Sequence, residues 1–252
     1  MKRILAILLV IACIFSVCAC NNNETPDNGE NNGNTDDGVK TNAEILAMFA
    51  DLLAVSAPTK SEVVTTEKFG RNVLKSTTTL TAGEIDGKKS AYLVVNEQKF
   101  NSLDSKELSL IDENTTTQWY LEGSGISTNN GRTWKDGNDF SPKAGSLKLG
   151  LKEENFTSIE YNADTATLVL TASYETAADV LKAYIPSSFE YEYDTVITVV
   201  AAGGRISKIT IEYVIEEEDI GDIGSSVTLE ETTVVIAASY YYDIQDITVG
   251  KK

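Results

Sequence analysis

The sequence predicts a mainly β (α+β) fold, one large curved antiparallel sheet or half-barrel with two or three helices covering one face. Three observations lead there. From Glu62 onward apolar residues recur at every second position, in runs rich in Val, Ile, Thr and Tyr. Tight-turn sequences separate those runs, and only short stretches carry the three-to-four spacing of a helix. Strands that follow one another through tight turns pair antiparallel, because parallel neighbours need a crossover of about a dozen residues or more. About ten such strands in one sheet tend to curl.

The first element is a helix. Thr41-Asn42-Ala43-Glu44 has the capping-box form, a hydroxyl able to accept the backbone N–H three residues on and a carboxylate able to return the bond. Ile45, Met48, Phe49, Leu52 and Leu53 then repeat at helical spacing, Asp51 lies off the stripe, and Pro58 stops it. Such an amphipathic helix packs on something flat, and the period-two runs supply it. Residues 73–84 and 88–95 flank Asp86-Gly87, a pair suited to a type I′ hairpin turn. Residues 119–128 and 132–135 flank Asn129-Asn130-Gly131 in the same way.

Further hairpins join 159–161 to 166–172 through Asn162-Ala163-Asp164, and 196–201 to 205–214 through Gly203-Gly204. Residues 227–238 and 240–249 supply the last strand or two, on which Tyr241 should point opposite to Tyr240 and Tyr242. One helix interrupts the meander. Thr176-Ala177-Ala178-Asp179 repeats the capping-box form, Val180, Leu181 and Tyr184 line one side, and Pro186 ends it. Residues 147–153 are a candidate for one more helical turn. No internal repeat has solenoid spacing.

Ahead of this domain, Lys2 and Arg3 precede a run from Ile4 to Cys20 that is apolar apart from Ser16, the pattern of an export signal. An uncleaved membrane anchor is the alternative, and both readings put the domain outside, because positive charge stays inside. Val17-Cys18-Ala19-Cys20 resembles the lipobox of bacterial lipoproteins, which implies cleavage before Cys20 and its acylation; Val10-Ile11-Ala12-Cys13 also fits the pattern but would leave a short apolar run. One acyl chain holds only marginally, whereas the two or three implied here anchor stably. Residues 21–40 contain seven Asn, three Gly and five acidic residues, with Val39 as the one aliphatic side chain, a composition that stays disordered. The chain thus divides into a signal peptide (1–19), an Asn/Asp/Gly-rich tether starting at the lipid-bearing Cys20 (20–40), and one β-rich domain (41–252), lipid-anchored on the cell membrane or outer membrane, outside the cytoplasm.

Composition narrows the function classes. All three cysteines lie at or before Cys20, so the domain has no disulfide and no thiol nucleophile, and burial must stabilise it. The net charge is −17; loss of Lys2 and Arg3 leaves 19 basic against 38 acidic residues, or −19. A field of that sign repels nucleic acid and anionic head groups. The chain has no histidine, which removes the commonest general base and the commonest metal ligand. Paired carboxylates could still hydrolyse a glycoside, but no local pattern points to such a pair. The expectation is a non-enzymatic protein with no catalytic residues, no metal and no cofactor.

The lipobox and tether, the opening amphipathic helix, the 119–134 hairpin with its Asn-Asn-Gly turn, and the closing Ile206-Ser207-Lys208-Ile209-Thr210-Ile211 and Ser239-Tyr240-Tyr241-Tyr242-Asp243-Ile244 together resemble the LolA-like lipoprotein fold of periplasmic lipoprotein carriers and the mycobacterial LppX and LprG group. The resemblance covers residues 41–249 as an arrangement, without a specific motif. It implies a half-barrel curled around short helices, with a gap that takes acyl chains or a lipidated partner. The chain departs from the carriers in being anchored itself, which argues for holding a ligand locally rather than shuttling it.

Ile45, Phe49 and Leu52 on the helix, with Trp119 and Trp134 on the hairpin, are the candidate ligand-binding residues. Trp119, Tyr120 and Trp134 would serve equally as a platform for a sugar ring, or simply as cross-strand pairs stabilising the sheet. The corresponding alternative function is a surface module binding protein or glycan. Glu216-Glu217-Glu218-Asp219 and Asp222 offer oxygen ligands suited to calcium, but their spacing matches no EF-hand loop, and a solvated acidic turn accounts for them. Asp136-Gly137-Asn138-Asp139 reads the same way.

Overall fold

The computed structural model describes residues 40–104, 107–142, 147–181, 193–219 and 228–242, with the backbone alone at 102–104, 107, 216–219 and 228–230. Cys20, the tether, Tyr184, Pro186, Asp222 and the expected strand at 243–249 lie outside the described residues.

Helix α1 (Asn42–Val55) begins where the capping box puts it. Glu44 Oε2 accepts the Thr41 N–H at 2.8 Å, and Thr41 Oγ1 accepts the Glu44 N–H at 3.3 Å, so two of the orphan donors of the first turn are satisfied. Its end is fixed three residues before Pro58. Ser56 Oγ donates to Leu52 O at 2.6 Å and accepts the buried Ile206 N–H at 3.1 Å, which ties the helix C-terminus to the sheet.

Ten strands follow: β1 (Lys60–Phe69), β2 (Asn72–Ile85), β3 (Lys88–Asp104), β4 (Glu107–Leu121), β5 (Gly125–Ser127), β6 (Phe156–Asn162), β7 (Thr167–Ala172), β8 (Thr195–Ala202), β9 (Arg205–Asp219) and β10 (Thr228–Tyr241). Helix α2 (Tyr174–Leu181) lies between β7 and β8, and a 3₁₀ turn (Glu153–Asn155) precedes β6. The spatial order is β5-β4-β3-β2-β1-β10-β9-β8-β7-β6, so two antiparallel meanders meet where β1 pairs with β10. The sheet is open, with β4 and β5 at one side and β6 at the other. Asp86 and Gly87 take φ of 51° and 73°, and Gly203 and Gly204 take 58° and 73°, the two positive values that a type I′ turn demands.

Several boundaries differ from the sequence expectation. The β3–β4 hairpin extends to Asp104 and back from Glu107, whereas the sequence pattern predicts strands that end at 95 and begin at 119. Asn96, Glu97, Gln98 and Lys99 against Asp112, Glu113 and Asn114 put polar residues on both faces, and so erase the alternation that marks a strand. β9 continues through Glu216–Asp219, whose backbone pairs with residues 228–231, so the expected acidic turn is strand. β10 runs unbroken to Tyr241, with no new strand starting at Tyr240. Tyr240 is buried and Tyr241 exposed, as alternation requires.

Helix α2 starts at Tyr174 rather than after Thr176: Ser173 O accepts the Thr176 and Ala177 N–H groups, and Thr176 Oγ1 donates to Asn155 O at 2.8 Å. Residues 147–152 are not helical; the short turn comes just after them, at Glu153–Asn155. β4 turns first at Glu122–Ser124 into β5, and the Asn129–Gly131 turn then returns the chain so that Lys135 bridges Ile126.

The main core gathers Ile45, Leu46, Phe49 and Leu53 of α1 and Val180 and Leu181 of α2 against side chains of β1 and β7–β10. Leu147 joins it, with Leu149 and Leu151 packed alongside.

Candidate functional site

Register shows which side chains share a face. Val63, Ala238, Ile209, Val199, Leu168 and Tyr161 form one row across β1 and β10–β6, and the next row runs Thr65, Ile236, Ile211, Ile197, Leu170, Ile159. Beyond β1 the same two rows continue as Thr78, Val95, Thr116 and as Ser76, Glu97, Asn114. One continuous face therefore changes from wholly apolar to rich in hydroxyl and amide groups as it crosses β1.

At that change sits the candidate site. Ser61, Ser76 and Thr78 are 2%, 4% and 1% exposed, and their hydroxyl oxygens are shielded from solvent with no hydrogen-bond partner. Ser61 lies opposite Leu80, Thr78 opposite Val63 and Ser76 opposite Thr65 on the β1–β2 ladder, so the three share one face within neighbouring positions. Each can both donate and accept, and an unmade hydrogen bond at a buried hydroxyl costs about 1–3 kcal/mol. Val63, Leu80 and Val95, all buried, surround them.

The five residues singled out from sequence do not form one site. Ile45 and Phe49 are buried in the main core, where the Phe49 ring meets Tyr161 edge-on at 5.9 Å, and Leu52 packs half-buried against the same cluster. Trp119 pairs with Tyr92, on the face opposite to Leu93 and Val95, and the two rings stack at 3.7 Å with 22° between planes. The Trp119 indole is only 6% exposed. Trp134 is half-buried beside Gly131, where an added Cβ would lie 3.5 Å from its ring.

No family model and no curated protein matches this chain. The hydroxyl patch escaped the sequence reading because Thr77-Thr78-Thr79 looks the same from either side; only the pairing of Thr78 with Val63 turns it inward.

A second polar cluster closes the end of the core. Tyr242 OH donates to Ile206 O at 2.6 Å, and the Arg205 guanidinium lies 4.9 Å over the Tyr242 ring. Burial pushes the Tyr242 hydroxyl above the ordinary tyrosine value, against the opposing effects of Ser56 and Arg205. With Ser56 on the Ile206 N–H, both backbone groups of Ile206 are held by side chains from outside the β8–β9 hairpin. This cluster fastens α1 and the chain after β10 to one turn, which is a structural task.

Among the described residues no three acidic or cysteine side chains converge on a point where a metal ion could bind, and no helix is long and apolar enough to cross a membrane.

Proposed function

We propose that the chain is an extracytoplasmic lipoprotein, anchored through Cys20, whose non-enzymatic domain holds an apolar or amphiphilic ligand between a curved sheet and its helices. In this reading α1, α2 and residues 147–151 roof the inner face of a half-barrel, in the LolA-like manner. The observation that carries the reading is the buried, unpartnered trio Ser61, Ser76 and Thr78, set at the border of an apolar field. A ligand placing a hydrogen-bonding head group there and its chain along Val63, Leu80 and Val95 offsets the cost those hydroxyls otherwise impose. The strongly acidic chain disfavours anionic heads, so an uncharged or zwitterionic amphiphile fits best.

The test uses the soluble chain without residues 1–20. Mass spectrometry should find co-purified lipid, and after delipidation a fluorescent acyl probe should bind saturably. The double variant Ser76→Ala, Thr78→Val should bind the probe several-fold more weakly while unfolding at a higher temperature. No lipid and no uptake would overturn the reading.

The alternative, a surface module for protein or glycan, gains little from the tryptophans, because Tyr92 already occupies one face of Trp119. Its support is the exposed apolar group Leu108, Leu110 and Ile111.

A further inference from the structure

We propose that the free edge of β4 is a docking site for an extended polypeptide segment that pairs antiparallel with it, presenting basic residues followed by apolar ones. β4 is hydrogen-bonded to β3 along its length, but on its other side β5 pairs only with Trp119–Leu121. Residues 107–118 therefore border no strand on that side among the described residues, an edge about 40 Å long at roughly 3.4 Å per residue. Every second residue of such an edge turns its N–H and C=O outward, a template for one more strand.

Large apolar side chains lie exposed along this edge, where a protected edge keeps them few. Leu108, Leu110 and Ile111 are 55%, 51% and 63% exposed, three of the largest exposed apolar side chains of the described residues within four positions. Ile111 is the extra residue of a β-bulge, between Leu110 opposite Phe100 and Asp112 opposite Lys99. The opposite border of the sheet is guarded in the usual way. β6 is seven residues long, carries a bulge between Phe156 and Ser158, exposes Glu160, and has no large exposed apolar side chain. Both borders face the same aggregation hazard and both carry a bulge and exposed carboxylates, but β4 is the longer at 15 residues and exposes large apolar side chains.

Charge selects the occupant. Asp112 and Glu113 follow the apolar trio and are exposed; Asp112 meets Lys99 at 3.6 Å, and Glu113 accepts from Asn96 and Gln98 at 2.8 and 2.9 Å, which holds it ionised. An antiparallel partner thus meets carboxylates with its first residues and leucine and isoleucine with its last. A second copy of this chain is the wrong partner: centred on Ile111 and Asp112, Asp112 and Glu113 of each copy would face Ile111 and Leu110 of the other, and two chains each carrying −17 repel. Strand addition of this kind draws affinity from the main chain and selectivity from alternate side chains.

The experiment measures fluorescence anisotropy of a labelled decapeptide, lysine alternating with threonine in its first half and valine with leucine in its second, against the full-length chain at 0.15 M salt. Two control peptides accompany it, one with the halves reversed and one identical but N-methylated at alternate residues. Saturable binding is expected, weakened at least tenfold by N-methylation, by reversal, and by the double variant Leu110→Lys, Ile111→Lys, whose thermal midpoint should stay unchanged because both side chains are exposed. Absence of binding overturns the proposal. So does equal binding of the N-methylated peptide, which would reveal a greasy, charged patch and not a strand site. Concentration-dependent dimerisation in sedimentation, abolished by the double variant while the peptide fails to bind, would assign the edge to a second copy instead. The lipid-uptake assay is independent of all these outcomes.

Discussion

From β10 out to β6 the inner rows of the sheet read Ala, Ile, Val, Leu, Tyr and Ile, Ile, Ile, Leu, Ile; from β2 out to β4 the same rows read Thr, Val, Thr and Ser, Glu, Asn. The backbone does the same thing in both halves. Only the first set meets α1 and α2, whose Phe49, Val180 and Leu181 are buried with it. The lesson is that an antiparallel meander specifies a surface and its side chains specify the use: one half is a foundation, the other presents hydroxyls inward and a bare edge outward.

The sharpest way to break this comparison is to truncate one apolar side chain in each half. Phe49→Ala deletes a fully buried ring from the foundation and should cost about 3–5 kcal/mol in urea unfolding. Leu93→Ala, half-buried in the other half, should cost about 1 kcal/mol. Similar losses would mean that both halves are equally packed.

Hydrogen bonding provides the next contrast, and it reverses sign. Ser56→Ala leaves the buried Ile206 N–H without its acceptor and should destabilise by about 1–3 kcal/mol. Thr78→Val replaces an unpartnered hydroxyl by a methyl of nearly the same shape and should be neutral or stabilising by up to about 1 kcal/mol. A destabilising Thr78→Val would show that its hydroxyl has a partner after all, and would remove the main support for a ligand site there.

What could be read from sequence follows a physical boundary between local and non-local interactions. The capping box of Thr41 and Glu44 and the Asp86-Gly87 and Gly203-Gly204 turns are closed within four residues, so composition alone carries them. The mainly β, antiparallel character follows from those turns. The extent of β3 and β4 was not legible, because residues 96–101 and 109–118 are held by each other, and their polarity reflects an edge with both faces open to water in part. Site residues were hardest. Phe49 and Trp119 are both large and apolar, and nothing local says that one enters the main core while Tyr92 covers the other. Nor does Thr78 differ from Thr77 until β1 is laid beside it.

The smallest expected effect asks whether the halves unfold together. Glu44, capping α1, is held below the ordinary glutamate range chiefly by the Thr41 N–H and then by its hydroxyl; Glu113, on β4, is held below it chiefly by Asn96 and then by Gln98. A carboxyl whose folded pKa is depressed contributes stability that is full above its unfolded value, about 4.3, and is lost as pH falls through the folded value. Both residues should therefore matter at neutral pH and cease to matter in acid. If α1 belongs to the cooperative foundation, Glu44→Gln should flatten the acid limb of global unfolding below the unfolded glutamate value of about 4.3. Glu113→Gln should leave that limb nearly unchanged and instead speed hydrogen exchange along β4, because an edge hairpin can open without the rest. Equal flattening by both variants would show that the hydroxyl-bearing half and the helix-bearing half are one cooperative unit, and that the division seen in their side chains has no counterpart in how the molecule comes apart.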